Sequence, residues 1–149
     1  MLTRLDKKIL EEIQNNFPIV QSPWKQLGRK LHLSEKDLIE RIKILQTQGY
    51  IRYIGVIFDL NKLGLKSTLL AMNVPTEKMK SVVRIINNYP YVSHNYLRNG
   101  KFNVWFTLTA RSDKELDFII NDIKKKTSIK DILDLRTKKV FKINVSFKL

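Results

Sequence analysis

Six side chains with polar or aromatic tips crowd the stretch from Val92 to Thr109, VSHNYLRNGKFNVWFTLT: His94, Tyr96, Arg98, Lys101, Asn103 and Trp105. They alternate on either side of Asn99-Gly100, a pair that favours a tight hairpin because both central residues of a type I′ turn need positive φ. A two-residue turn there sets Arg98 opposite Lys101, Tyr96 opposite Asn103, His94 opposite Trp105 and Val92 opposite Thr107. Side chains alternate across a strand, so these residues share one face, and Ser93, Asn95, Leu97, Phe102, Val104 and Phe106 share the other. The second face is mostly apolar and suits a core. The first carries an imidazole, a phenol, an indole, an amide and two cations, a costly set to place on a sheet unless something binds there. An imidazole offers proton transfer near neutral pH, the cations hold carboxylates, and the rings form a flat wall with polar tips.

Something must position that hairpin, and a chain of 149 residues with 43% hydrophobic content has room for one domain or two small ones. The absence of cysteine excludes disulfides, thiolate metal sites and cysteine nucleophiles, and two histidines are few for a zinc site built by the protein alone. The expectation is chemistry without a protein-bound metal, or a substrate that brings its own. No apolar run approaches the roughly 18 to 20 residues that span a bilayer, and MLTRLDKKIL lacks the pattern of a secretory leader. A cytoplasmic protein with no membrane partner is expected. The net charge of +14 is uneven: residues 1 to 60 hold 10 Lys/Arg against 7 Asp/Glu, and residues 61 to 149 hold 18 against 7. A positive second half favours polyanions, whether nucleic acid, a membrane surface or a small polycarboxylate.

Helical spacing of Leu5, Ile9, Leu10 and Ile13 predicts a first helix ending before Phe17-Pro18. Trp24, Leu27 and Leu31 mark a second, and Ser34 with Asp37 starts a third that carries Leu38, Ile42 and Leu45 inward and stops at Gly49. With the extended IRYIGVIF that follows, this is the pattern of a winged helix-turn-helix. Its recognition helix is electrically neutral, with Lys36, Arg41 and Lys43 against Glu35, Asp37 and Glu40. Glu35 and Asp37 occupy the first turn, where base-reading residues sit, so DNA is an unfavoured partner. His32, in the turn between the second and third helices, reads as a packing or surface residue.

The second half predicts a strand over Lys66 to Val74, a helix opened by Pro75-Thr76, the hairpin, a helix from Ser112 to about Lys126, and extended segments at Asp131 to Leu135 and Val140 to Phe147. Ser112 with Glu115 forms the start signal of the second of these helices. The fold class is α+β: an N-terminal winged helix-turn-helix over 1–62, then a ferredoxin-like β-α-β-β-α-β domain over 63–149 with an extra C-terminal strand. That plan puts both helices on one face of the sheet and leaves the other, bearing His94, Tyr96 and Trp105, bare until a partner covers it. A dimer with its ligand between or beside the sheets is expected.

The layout resembles the feast/famine regulators of the Lrp/AsnC type. FPIVQSPWKQLGRKLHLSEKDLIERIKIL, IRYIGVIFDLNKLGLKSTLLAMNVP, NNYPYVSHNYLRNGKFNVWFTL and ILDLRTKKVFKINVSFKL are similar to one enzymatic branch, the siroheme decarboxylases of alternative haem and haem d1 biosynthesis. The resemblance spans nearly the whole chain. Its His-Asn-Tyr-x-Arg, Phe-Asn-x-Trp-Phe-Thr and Val-Phe-Lys-Ile pieces are far more specific than the helix-turn-helix, and VFKINVSFKL is similar to the A-type subunit, which pairs with a related B-type subunit. The resemblance implies non-oxidative removal of the two acetate carboxylates of siroheme to give didecarboxysiroheme. It implies no added cofactor, since the iron-tetrapyrrole substrate brings its own iron, and it leaves heterodimer and homodimer open.

In that setting His94 serves proton transfer or contacts the substrate iron, two roles the sequence leaves open. Arg98 and Lys101 would hold carboxylates, Tyr96 and Trp105 would wall the macrocycle, and Asn103 would donate to a carboxylate. Arg52 matches the first arginine of the branch's usual Ile-Arg-Arg-Ile-Gly stretch, and Tyr53 stands where the second would be. Arg136, Lys138 and Lys139 are further cations expected near the pocket mouth. The rival reading is a DNA-binding regulator with a small-molecule or haem effector.

Overall fold

Thr3 starts the first helix of the computed structural model, which describes residues 1–143, 147 and 148. Its hydroxyl accepts from Asp6 N, and Asp6 returns the bond to Thr3 N, closing a capping box at the head of α1 (Arg4–Asn15). Pro23 occupies the first turn of α2 (Pro23–Lys30), where its missing N–H is not needed, and Ser34 Oγ caps α3 (Glu35–Thr47) by accepting from Asp37 N at 3.1 Å. The α2–α3 turn is tight: a Cβ on Gly28 would lie 2.9 Å from Leu33 O, and His32 takes the left-handed conformation at φ 57°. Ile9, Leu27, Leu38, Ile42, Leu45 and Ile51 form the core of this helical unit. No strand pairs with the segment after α3 among the described residues, so the predicted wing does not form.

One polar group enters that core. Asp6 is only 5% exposed, and Arg41 of α3 reaches it with Nε at 2.6 Å from Oδ1 and a second guanidinium nitrogen 3.1 Å from Oδ2. The Arg41 hydrogen bonds, reinforced by those of Thr3, hold the Asp6 carboxyl well below the usual carboxylate range against the opposing effect of burial.

The second unit runs β1 (Lys66–Met72), a 3-10 turn (Thr76–Lys78), α4 (Met79–Asn87), β2 (Val92–Leu97), β3 (Val104–Ala110), α5 (Asp113–Thr127) and β4 (Ile132–Arg136). The sheet is antiparallel in the order β2-β3-β1-β4, the ferredoxin-like arrangement. Leu70, Met72, Val104, Phe106 and Leu108 pack beneath Val82 and Ile86 of α4 and Leu116, Ile120 and Ile123 of α5. On the opposite face lie Leu69, Trp105, Thr107, Leu133 and Leu135, around an Ala71 that its neighbours bury, and Leu69, Leu133 and Leu135 are exposed there.

Compact units comprise Met1–Val56 with Lys142–Leu149, and Ile57–Phe141. The sequence reading divided the chain after residue 62 and kept the tail with the second domain. Within the first unit, the Gln14 side-chain amide grips the Phe147 backbone, donating to its carbonyl at 3.0 Å and accepting from its N–H at 3.2 Å. The extra strand expected from Val140 to Phe147 is not formed at 140–143 or 147, and its remainder, 144–146, lies outside the described residues.

Candidate active site

β2 and β3 supply the site, and their register differs from the two-residue turn predicted at Asn99-Gly100. Tyr96 stands opposite Trp105, His94 opposite Thr107 and Leu97 opposite Val104. Arg98 N donates to Asn103 O at 2.8 Å, so four residues, Asn99 to Phe102, make the turn. Only Gly100 among them has positive φ, at 119°, which rules out the type I′ form. The longer loop suits two side chains that need partners. The Trp105 indole donates to Phe102 O at 2.7 Å, and the Asn103 amide binds both backbone groups of Val74.

A second departure lies at the other end of β2. Val92 pairs with Leu108 and His94 with Thr107, leaving Ser93 as a bulge without a partner. Val92 therefore packs against the core and not beside His94, as the sequence reading had placed it. Beyond the bulge the alternation resumes: Asn95 faces the helices, its amide donating to Asn87 Oδ1 at 2.9 Å, while His94 and Tyr96 are exposed on the open face.

Four of the expected residues come together there. The His94 and Tyr96 rings stack with centroids 6.1 Å apart and planes 22° from parallel. The Arg98 guanidinium lies over the Trp105 ring, 5.6 Å from its centroid. Trp105, tied down by its indole N–H, thus supports a cation whose fork remains exposed. Ser93 Oγ approaches His94 Nδ1 to 2.9 Å.

Other expected residues have different occupations. Asn103 prolongs the ladder beside Val74, its Oδ1 accepting from Val74 N and its Nδ2 donating to Val74 O. Lys101, at the hairpin tip, lies 3.5 Å from Asp131 in an exposed pair that binds it loosely. Arg136 was expected near the pocket mouth. It instead shares the helix-covered face with Ile132 and Asp134, and its guanidinium meets Asp113, Asp117 and Asp134. The bonds to Asp117 and then Asp134 raise its pKa further, a sign of a cation already engaged. Lys139 lies beyond β4 with its ammonium 5.2 Å from the Phe141 ring centroid, and Lys138 is exposed beside it. Arg52 and Tyr53 belong to the first unit, in the exposed stretch after α3, where the Tyr53 ring folds over Gly55.

A further polar cluster joins α4 to α5 on the helix layer. Tyr89 donates to Asp122 at 2.5 Å and Lys126 pairs with the same carboxylate oxygen at 2.7 Å. Burial, then the bond to Asp122, pushes the Tyr89 phenol up, while Lys126 ahead of Tyr89 draws the Asp122 carboxyl down. A recess of about 260 Å³ adjoins it, lined by Ile85, Asn88, Tyr89 and Lys126, none of them a residue of the open face. Among the described residues no group of three or more His, Cys, Asp or Glu could hold a metal ion, and no helix is long and apolar enough to cross a membrane.

A helix-turn-helix unit and a ferredoxin-like unit with a basic, aromatic open face define the class: an AsnC-type protein with a ligand-binding second domain. Residues 62–142 match the family described as AsnC-like ligand binding domain, and residues 6–52 match the siroheme decarboxylase NirDL-like HTH domain. The siroheme decarboxylase alpha subunit of Desulfovibrio desulfuricans is 39% identical over 97% of this chain and 83% of its own length. That of Oleidesulfovibrio alaskensis is 38% identical over 99% of this chain and 90% of its own. The crystal structure of the siroheme decarboxylase NirDL in complex with an iron-uroporphyrin III analogue superposes with a TM-score of 0.70 at 32% identity, covering 97% of this chain and 48% of that one. The chain belongs to the siroheme decarboxylase family.

Proposed function

We propose that this chain is the A-type subunit of a cytoplasmic siroheme decarboxylase, which removes the two acetate carboxylates of siroheme without an added cofactor and leaves methyl groups in didecarboxysiroheme. The observation that carries the reading is the cluster of His94, Tyr96, Arg98 and Trp105 on the uncovered face of the sheet. Tyr96 and Trp105 form a wall against which a flat macrocycle stacks. Arg98, held over the indole, offers a pre-oriented fork to a substrate carboxylate, and Lys101 adds a movable point charge.

Loss of carbon dioxide leaves the former C–C electron pair on the methylene carbon beside the pyrrole, and that carbon must gain a proton. His94, exposed on the same face, is the group suited to give it.

The open face also argues for a partner. Leu69, Leu133 and Leu135 are 40%, 38% and 42% exposed on it, while Asp134 and Arg136 of β4 face the helices. The usual pattern of a half-buried edge strand is thus reversed, as suits a sheet whose second face meets another apolar surface. The partner proposed is a related B-type subunit, with a second copy of this chain as the alternative assembly.

Incubating siroheme anaerobically with the chain, with and without its partner subunit, tests the reading. A product lighter by two molecules of carbon dioxide supports it, and unchanged substrate with both subunits present rejects it. The regulator reading is disfavoured by α3 itself, whose Arg41 is committed to Asp6 and whose first turn carries Glu35 and Asp37. Tight, sequence-dependent retardation of DNA at moderate salt would restore it.

A further inference from the structure

His94 reaches the open face because Ser93 bulges out of the ladder and takes no place in the pairing. In an unbroken strand Val92 and His94 would share a face, and with Val92 in the core the imidazole would lie under the helices. The bulge at Ser93 reverses the alternation. It also brings Ser93 Oγ to 2.9 Å from His94 Nδ1, while the Tyr96 ring stacks alongside the imidazole. With Nδ1 occupied, Nε2 is the nitrogen left to meet a substrate. The outer torsion of a histidine is soft and roughly two-fold, so a ring without such a partner samples orientations that turn Nε2 aside.

We infer that Ser93 is a positioning residue for His94: its oxygen accepts the Nδ1–H of the imidazolium and assigns the transferable proton to Nε2. The inference rests on the reading of His94 as proton donor. As carbon dioxide departs, the C–C bond breaks and its electron pair remains on the methylene carbon. The Nε2–H bond then breaks and the new C–H bond forms. His94 is left neutral with its remaining hydrogen on Nδ1, still donated to Ser93, and solvent returns a proton to Nε2. A hydroxyl suits this position because its oxygen serves as acceptor before and after the transfer without the ring having to turn.

Ser93→Ala, Ser93→Thr and His94→Ala, each in the full chain with its partner subunit, test the inference. Ser93→Ala should lower kcat about tenfold, the scale on which groups that orient a functional histidine act, with KM for siroheme nearly unchanged. Nitrogen-15 spectra of neutral His94 should show the ring hydrogen on Nδ1 in the wild type and moved from it in Ser93→Ala. Ser93→Thr, which keeps the hydroxyl, should restore both rate and spectrum. An inactive His94→Ala beside a Ser93→Ala enzyme with wild-type kcat and an unaltered His94 spectrum overturns the positioning role and leaves the catalytic reading standing. A fully active His94→Ala sinks both.

Discussion

Replacing Asp6 by asparagine keeps the volume of the side chain and removes the charge that α1 and α3 share. Four hydrogen bonds converge on the carboxylate, from Thr3 N, Thr3 Oγ1 and two Arg41 nitrogens, at 2.6 to 3.1 Å. An amide accepts through one oxygen only, and its NH2 would confront donors from Thr3 or Arg41. Hydrogen bonds to a charged group contribute about 1.5–3 kcal/mol each, but they are not additive, and water can reach the 36%-exposed Arg41 side chain once the pair is broken. A net loss of about 2–3 kcal/mol for Asp6→Asn follows.

Hydrogen exchange of the α1 and α3 amides reads this locally, and that loss corresponds to exchange about 30- to 150-fold faster at neutral pH. The acid dependence supplies an independent check. The folded carboxyl titrates below its ordinary value of 3.8, so the unfolded chain binds the proton first as pH falls. The stabilisation is therefore complete above roughly pH 5 and is lost as pH falls through the unfolded value towards the folded one. The difference between wild type and Asp6→Asn should be widest at neutral pH and should narrow below about pH 4. Equal exchange rates at neutral pH, or a difference that does not change with acid, would refute the reasoning.

Three further outcomes are expected. His94→Ala should reduce decarboxylation by about 10²- to 10⁴-fold while the visible spectrum still reports siroheme binding, because the variant removes the proton donor and leaves the aromatic wall. Arg98→Lys keeps the charge but loses the planar fork over Trp105, so KM for siroheme should rise severalfold with a smaller change in kcat, measured by steady-state kinetics. Arg136→Ala should lower the melting temperature of the second unit, since three carboxylates lose their common cation, yet leave KM unaltered. A raised KM in that variant would return Arg136 to the substrate.

Helices α1, α2, α3 and α5 were legible to within a residue or two because their signals are local, whereas α4 starts at Met79 behind a 3-10 turn and not directly after Pro75-Thr76. Ser34 and Ser112 cap the helices they were expected to cap, and apolar spacing marked Leu38, Ile42 and Leu45 as buried. The sheet order follows from the β-α-β-β-α-β succession. The hairpin register was not legible, because it depends on where an indole and an amide find partners: the indole turns back to Phe102 O inside the loop, and Val74 comes beside the Asn103 amide only once β1 and β3 are adjacent. Arg136 was misplaced for a similar reason. Its phase in β4 points it at Asp113 and Asp117 of α5, whereas the apolar Leu133 and Leu135 take the open face, contrary to the ordinary expectation for an edge strand. Ser93 carried no signal in the alternation itself. A serine directly before a histidine at the point where the apolar phase of Val92 breaks would have been the clue.

The supernumerary residue in β2 has a consequence for protein engineering. Excising Ser93 altogether would leave Val92 and His94 adjacent in an uninterrupted pleat, inward and outward in turn, opposite Leu108 and Thr107 as before. The imidazole would keep its station while losing its neighbour. A chain one residue shorter removes the bulge together with the hydroxyl, so set beside Ser93→Ala, which removes the hydroxyl alone, it isolates what the contour of the backbone contributes.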